Sequence, residues 1–418
     1  MHVCVLGAGV VGLATAWALS EAGCEVTIID GASGPGQGAS AGNGAQLSYN
    51  FVAPLASPDT LLHLPAMLLE PNGPLRIKPR LDLDFLRWGV GFLRASTGRM
   101  VRETTAAQLA LAALSQRETM AVERDAAIGF YRKVAGKLVV YRHPATFATA
   151  RRQAEAQRGI GAAQMVLDPA ACLAQEPGLR IRAADLQGGV FTPSEELGDC
   201  AAFCDRLAGR LRERNSVTFI WDARVTPVLR DGQLVAVQAG AREIGADHFV
   251  LSLGSGARDF AKACGFYLPI QAMKGYSITV RPRNPAGELR HSVTDADRKI
   301  VFAPLAHESG AVIRVAGNAD FVGEDRGVDP VRLEAIRKGA REALDVDLES
   351  DPLGWAGLRP ITPDSRPIIG ASPVAGLFLN TGHGGLGWTL ACGSARLATE
   401  LLLGGTPSVE PGWFSLAR

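Results

Sequence analysis

The sequence predicts an α/β protein: a Rossmann-type nucleotide-binding unit interleaved with a second, α+β unit built on an antiparallel sheet. Three observations carry this reading. A short apolar strand, a glycine turn, a helix and a second strand follow one another in the first thirty residues or so; period-two alternation recurs beyond residue 270; and the segment 376–403 again reads strand, glycine loop, helix.

At 418 residues the chain exceeds the size at which one hydrophobic core stops growing, so two domains are expected. Its 43 Lys and Arg nearly balance 42 Asp and Glu, and no basic stripe interleaved with aromatics is present, which argues against nucleic acid as a partner. Seven scattered cysteines are an odd number at low density, as in a cytoplasmic protein with reduced thiols. Cys200 and Cys204 would share one helix face, but no second Cys/His pair stands at zinc spacing, so no metal is expected. The uncharged stretch from Val3 to Ser20 approaches transmembrane length. Its three glycines and the missing basic n-region assign it instead to a buried strand, turn and helix.

The first strand is expected over 2–6, the helix over about 11–21 and the second strand over 25–29, ending at Asp30. Residues 31–44 are rich in Gly, Ser and Ala, as in a loop running close to a ligand. Helical texture covers 61–69, 83–93 and 100–128; strands at 136–141 and 188–191 flank a helical stretch at 146–157; a helix over 199–213 leads into a strand at 217–221. A hairpin is expected from 224–230 and 234–239 with Asp231-Gly232 at its turn, then a strand at 248–253 before Gly254. Alternation near 276–281, 299–303 and 312–316 forms the inserted antiparallel sheet. The nucleotide domain is accordingly expected over 1–80, 145–225, 245–262 and 350–418, and the second domain over 81–144, 226–244 and 263–349.

Gly7-Ala8-Gly9-Val10-Val11-Gly12 places G-x-G-x-x-G after a strand and at a helix start, the context in which this pattern carries weight. Gly7 permits the tight turn, Gly9 lets backbone approach a pyrophosphate, and Gly12 allows close helix–strand packing, while the helix start at Val10 and Val11 offers amides and a positive dipole. Asp30 fits an acid accepting from a ribose hydroxyl and disfavours a 2′-phosphate. These features leave FAD and NAD equally open.

Five segments together resemble the FAD-dependent D-amino acid dehydrogenases, within the group that includes D-amino acid, glycine and sarcosine oxidases. They are the fingerprint at Gly7–Gly12; Gly38-Ala39-Ser40-Ala41-Gly42-Asn43-Gly44-Ala45-Gln46; Lys274-Gly275-Tyr276-Ser277; Gly357-Leu358-Arg359-Pro360-Ile361-Thr362-Pro363-Asp364; and Asn380-Thr381-Gly382-His383-Gly384-Gly385-Leu386-Gly387-Trp388. The resemblance spans most of the chain and implies FAD as cofactor. It implies that Ser40, Ala41, Gly42 and Asn43 lie along the pyrophosphate and flavin, that Val225 and Gly254 border the nucleotide, and that Gly382, His383, Gly384, Gly385, Leu386, Gly387, Trp388 and Thr389 face the flavin pyrimidine. There the helix start would stabilise the charge of reduced flavin.

The resemblance also implies that Arg359, read as lying in a Pro-flanked loop, pairs with the substrate carboxylate through its planar fork. Tyr276 would stand over or beside the substrate; Gln46 and Tyr49 are further pocket candidates. The implied reaction is hydride transfer from Cα of a D-amino acid to flavin N5, giving an imino acid that water hydrolyses to a 2-oxo acid and ammonium. No catalytic side chain is assigned. Electrons would pass to a quinone or another acceptor, and the apolar run from Leu81 through Leu83 to Arg94 is a candidate for contact with the inner face of the cytoplasmic membrane. Two further readings stay open: an oxidase or dehydrogenase of glycine, sarcosine or cyclic imino acids such as D-proline or D-hydroxyproline, and a non-catalytic flavin-binding subunit.

Overall fold

The computed structural model describes residues 1–418 except 51, 53, 70–72, 79–81, 159–163, 285–287, 308–309 and 352. The apolar N-terminal stretch resolves as expected into β1 (His2–Leu6), α1 (Val10–Glu21) and β2 (Glu25–Ile29). α1 is apolar on nearly every side because it is enclosed: the sheet lies on one side, helices Cys200–Arg212 and Gly387–Leu402 on the others.

β1 and β2 belong to a six-stranded sheet in the order 217–220, 25–29, 2–6, 248–251, 377–381, 368–371, parallel except for the last strand. One face carries the helical layer, joined by helix Gly98–Asp125, which crosses Gly387–Leu402 so closely that a Cβ on Gly393 would fall 2.7 Å from the Leu111 carbonyl oxygen. The opposite face is covered by an antiparallel meander of Val225–Arg230, Gln233–Ala239 and Arg242–Gly245, whose Leu234, Val237 and Ala239 pack on Cys4, Leu6 and Leu251. The expected hairpin is present. Asp231 and Gly232 both take positive φ, 51° and 76°, as a type I′ turn needs to match the strand twist.

Among the described residues a second, ten-stranded sheet is built mainly on the long antiparallel strands Gln271–Pro282, Ile300–His307 and Gly310–Phe321, continuing through 292–295, 137–141, 188–192 and 165–167. Helix Pro330–Ala343, capped by Asp329 with proline in its first turn, backs it.

The structure divides the chain between these bodies differently from the boundaries expected. Strands 165–167, 188–192 and 75–77, assigned to the nucleotide domain, extend the ten-stranded sheet, and Trp355–Ile361 pairs along Gln271–Ser277 of that same sheet. Helix 98–125 and the meander, assigned to the second domain, pack on the nucleotide sheet. Hydrophobic period identifies an element's type but not its partner. Among the described residues no helix is long and apolar enough to cross a membrane.

The stretch 360–366 is a junction, because the strand ending at Ile361 turns at Thr362–Arg366 and enters the nucleotide sheet at Ile368. Thr362 donates to the Arg366 carbonyl, and Asp364 accepts from Arg366 and bidentately from Arg418 at 2.8 and 3.0 Å. Despite opposing desolvation, these two cations hold the Asp364 carboxyl at about 2, against an ordinary 3.8. A depressed acid contributes stability above its unfolded pKa and loses it as pH falls toward its folded one. Asp364→Asn should therefore cost about 2 kcal/mol in urea unfolding at pH 7, with the difference from wild type shrinking as the pH drops from 3.8 toward 2.

Candidate functional site

The parallel strands of the nucleotide sheet all deliver their C-terminal ends to one cavity of about 1500 Å³ between the two sheets. Ligands of open α/β sheets lie at this edge. The loops after β1 (Gly9–Val11), after β2 (Asp30–Ala32), after 217–220 (Ala223–Pro227), after 248–251 (Ser252–Gly256) and after 377–381 (Gly382–Gly385) all line it. The volume exceeds the usual range for one small ligand and suits a dinucleotide with a substrate beside it.

The fingerprint glycines take different positions. Gly7 has φ 109°, and a Cβ there would meet the Ser252 carbonyl oxygen at 2.5 Å. A Cβ on Gly12 would lie 1.9 Å from the Gly7 carbonyl oxygen, so neither residue lines the cavity and both set its wall. Gly9 instead faces it, with only the Ser40 hydroxyl near its missing Cβ, at 3.6 Å. Asp30 accepts from the Ala8 and Ala32 amides at 2.6 and 2.8 Å and presents its carboxylate at the cavity edge, near Val225 and Gly254.

Loop 38–44 is fastened from both sides. Ser40 accepts from the Val10 amide at the start of α1, while from the second sheet Ser277 donates to the Gly42 carbonyl and Arg314 to those of Ala41 and Asn43. Ser40, Gly42 and Asn43 line the cavity; Ala41 does not and contributes its carbonyl to the anchor. Burial pushes the Arg314 pKa down.

At the opposite wall, Gly382–Gly385, Gly387 and Trp388 line the cavity, whereas Leu386 and Thr389 face inward. Thr389 accepts from the Ser48 amide at 3.1 Å and so ties the helix start to the short strand Gln46–Leu47. The Trp388 indole donates to the Gly198 carbonyl and is wedged between Phe130 and Phe203. His383 is buried and its Nε2, like the hydroxyl of Thr381, has no partner among the described residues. Buried polar atoms without partners on a cavity wall are the mark of a missing polar ligand.

The proposed substrate residues separate. Arg359 lies not in a loop but in strand Trp355–Ile361, which hydrogen-bonds along Gln271–Ser277 with Met273 opposite Arg359, Gly275 opposite Gly357 and Ser277 opposite Trp355. Paired residues share a face: Met273, Gly357 and Trp355 line the cavity with Arg359, and Gly275 lies beneath the Arg359 side chain. The two facing glycines make a flat floor. The Arg359 guanidinium lies over Gly275, where a Cβ would sit 2.2 Å from Nη2, and the Trp355 indole lies over Gly357, where a Cβ would sit 1.9 Å from the ring. The same indole fills the space beside Gly42. Arg359 donates only to the Asn318 carbonyl, at 3.3 Å, and has no carboxylate partner among the described residues; burial pushes its pKa down.

Tyr276, one residue out of phase, points through the other face, is fully buried, and donates to Asp320. It does not line the cavity, and neither does Tyr49, which packs in the core of the nucleotide body. Gln46 does line it, its amide donating to Ser292 and to Thr294. Trp355 and Arg314 went unnoticed in the sequence. Trp355 stands four before Arg359, the spacing of one strand face, so recognising the strand would have found it; Arg314 carries no such signal.

A family model described as FAD dependent oxidoreductase (DAO) matches residues 2–401. The chain is 42% identical to D-amino acid dehydrogenase 2 of Pseudomonas aeruginosa over 98% of this chain and 96% of that one. It is 38% identical to D-amino acid dehydrogenase 2 of Ralstonia nicotianae over the full length of both. Among solved structures it resembles L-proline dehydrogenase from P. horikoshii (TM-score 0.75, 16% identity, 100% and 97% of the two chains) and glycine oxidase from Geobacillus kaustophilus (0.73, 19%, 100% and 98%), likenesses that bear on the fold.

Burial alone takes the His383 ring from an ordinary 6.5 to about 3. The native ring is then neutral where the unfolded chain binds a proton, so its contribution to stability is complete above pH 6.5 and is lost as pH falls toward 3. The unfolding free energies of wild type and His383→Asn should differ by an amount that is constant above pH 6.5 and changes by about 1.4 kcal/mol per unit below it. Parallel curves through that window would mean a protonated ring in the native protein.

Proposed function

Because this chain belongs to the family of FAD-dependent oxidoreductases called DAO, we propose that it oxidatively deaminates D-amino acids to 2-oxo acids and ammonium. The observation that carries the reading is Arg359: a guanidinium without a carboxylate partner among the described residues, spread over a glycine floor in a cavity shared with the nucleotide loops. Buried cations are ordinarily paired, and a planar fork is suited to a carboxylate held by two parallel hydrogen bonds. The curated relatives' names support the D-amino acid assignment.

The residues fit FAD. Gly9 and Asp30 would hold the diphosphate and ribose, Ser40, Gly42 and Asn43 would follow the diphosphate toward the flavin, and Gly382–Gly385 with the start of helix Gly387–Leu402 would face the flavin ring. Bound FAD would supply the two-electron acceptor for the hydride leaving the substrate Cα. The chain's own contribution is to bind and orient: Arg359 fixes the carboxylate, Trp355 and the glycine floor define the plane on which the substrate rests, and the dipole of the 387–402 helix favours negative charge at its N-terminus. No side chain is assigned a proton-accepting role. Among the cavity carboxylates Asp30 is engaged by two amides, and Asp259, Glu324 and Asp325 stand at the solvent-exposed rim. The imino acid product needs only water to hydrolyse.

The decisive experiment is anaerobic titration of the holoenzyme with D- and L-amino acids, glycine, sarcosine and cyclic imino acids. Bleaching of the oxidised flavin by D-amino acids and not by their L-forms is expected. Bleaching by glycine, sarcosine or imino acids alone would redirect the assignment, and bleaching by none would leave a flavin-binding protein without this activity. Arg359→Leu should lower kcat/KM by about a hundredfold or more through loss of the charged pair while leaving the flavin bound.

For the electron acceptor we propose a membrane quinone, reached by peripheral contact through helix Leu83–Ala95. One side of this helix packs inward through Trp88 and Phe92, yet Leu83, Leu86, Val90 and Leu93, spaced 3, 4 and 3 along the other, are 78, 56, 48 and 58% exposed. Leu81, where the apolar segment begins, lies outside the described residues. A second apolar stripe on an already packed helix suits the acyl boundary of a bilayer. The protein should co-sediment with vesicles and be reoxidised by quinone; Leu86→Glu together with Leu93→Glu should abolish sedimentation while leaving reduction by substrate intact.

A further inference from the structure

We infer that a strip of cavity wall formed by Met273, Ala319 and Leu75 receives the substrate's side chain, and that it selects uncharged apolar side chains of medium to large size over small or charged ones. This rests on the carboxylate role proposed for Arg359.

The pleat gives the strip its direction. On the face that carries Arg359, the residue directly across on the neighbouring strand is Met273; the next two strands bring Ala319 and Leu75, which are paired with each other. All three line the cavity. Adjacent strands lie about 4.8 Å apart, so an amino acid anchored by its carboxylate at Arg359 meets Met273 one strand away and reaches toward Ala319 and Leu75 with each further carbon. The charged residues next to the strip on these strands, Lys274, Asp320 and Arg76, lie on the opposite face with Tyr276, where Asp320 accepts from Tyr276 and Arg76 and Lys274 pairs with Asp325. A charge entering the strip finds none of them.

What lies behind the strip is also apolar. Met273 and Leu75 belong to a cluster with Trp88, Phe92 and Phe321, whose rings pack 5.3 and 5.4 Å from centre to centre around Trp88. The one polar atom of those rings, the Trp88 indole nitrogen, is already donated to the Ile361 carbonyl at 3.0 Å. Among the described residues, charged groups near the strip stand at the exposed rim, where Asp325 is held by Lys274 and Glu324 stands 4.0 Å from Arg258. Burying a charged side chain here leaves it unpaired, and a methyl group leaves the strip uncovered.

The test is a ranking on the holoenzyme. Values of kcat/KM for D-methionine, D-leucine and D-phenylalanine should exceed that for D-alanine by about tenfold or more, and those for D-glutamate and D-lysine by about a hundredfold. Met273→Ala should reduce the D-methionine to D-alanine ratio about tenfold, and Met273→Glu should raise the D-lysine to D-methionine ratio by a similar factor. Each comparison is a ratio within one preparation, so partial misfolding cancels. Dissociation constants of the matching 2-oxo acids, read from perturbation of the flavin spectrum, should follow the same order without turnover. A flat ranking, a preference for charged side chains, or ratios unmoved by either substitution would overturn the strip while leaving D-amino acid oxidation standing. Failure to oxidise any D-amino acid would overturn the function on which it rests.

Discussion

The pairing of strand Trp355–Ile361 with Gln271–Ser277 is the constraint on which the site depends. It is the seam where the two bodies meet: one partner runs on through the Thr362–Arg366 turn into the nucleotide sheet, while the other is a principal strand of the ten-stranded sheet. It also sets the phase of everything in the substrate region. With Gly275 facing Gly357, a guanidinium and an indole can lie flat side by side; a single-residue slip would turn Arg359 to the far face and end the pairing of the two glycines.

The same seam ties the cofactor loops to the platform. Loop 38–44 is held to α1 through Ser40 and to the second sheet through Ser277 and Arg314, so its position reports the relative placement of both bodies. The buried Arg314 gives its Nη1 to two carbonyl oxygens, a use of charge as a strong donor rather than as half of an ion pair. A large cavity between two sheets can in this way keep rigid walls without a continuous core running through it.

Much of this could be read in the residues. The βαβ unit, the division of labour among Gly7, Gly9 and Gly12, the Asp231-Gly232 hairpin and the helix–glycine-loop ending each depend on local chemistry, and local chemistry is written in consecutive residues. What escaped depends on who pairs with whom. Arg359 flanked by proline reads as a loop, yet Trp355–Ile361 is a strand: it pairs along Gln271–Ser277, and among the described residues its other side is bridged at Ile361, to His383, so the proline stands near an edge. Tyr276 resembles a pocket residue until the register assigns it to the opposite face, and Tyr49 is near Gln46 in sequence while packing in the core. The partition of helix 98–125 and the 225–245 meander was likewise invisible, since amphipathic surfaces of either body look alike.

The order of the nucleotide sheet has a consequence for how the protein comes into being. Its parallel strands are drawn from residues 2–6, 25–29, 217–220, 248–251 and 377–381, and the helix that finally encloses α1 is 387–402. The most apolar helix of the chain is thus made first and covered last. During synthesis α1 must wait for nearly four hundred residues before helix 387–402, the last of its permanent neighbours, emerges from the ribosome, a topology rich in distant contacts that favours slow folding and protection by chaperones. One wall of the cavity, Gly382–Gly385 with the start of that helix, is in place only when the helix docks, so complete enclosure of the flavin is expected to be a closing event of biogenesis.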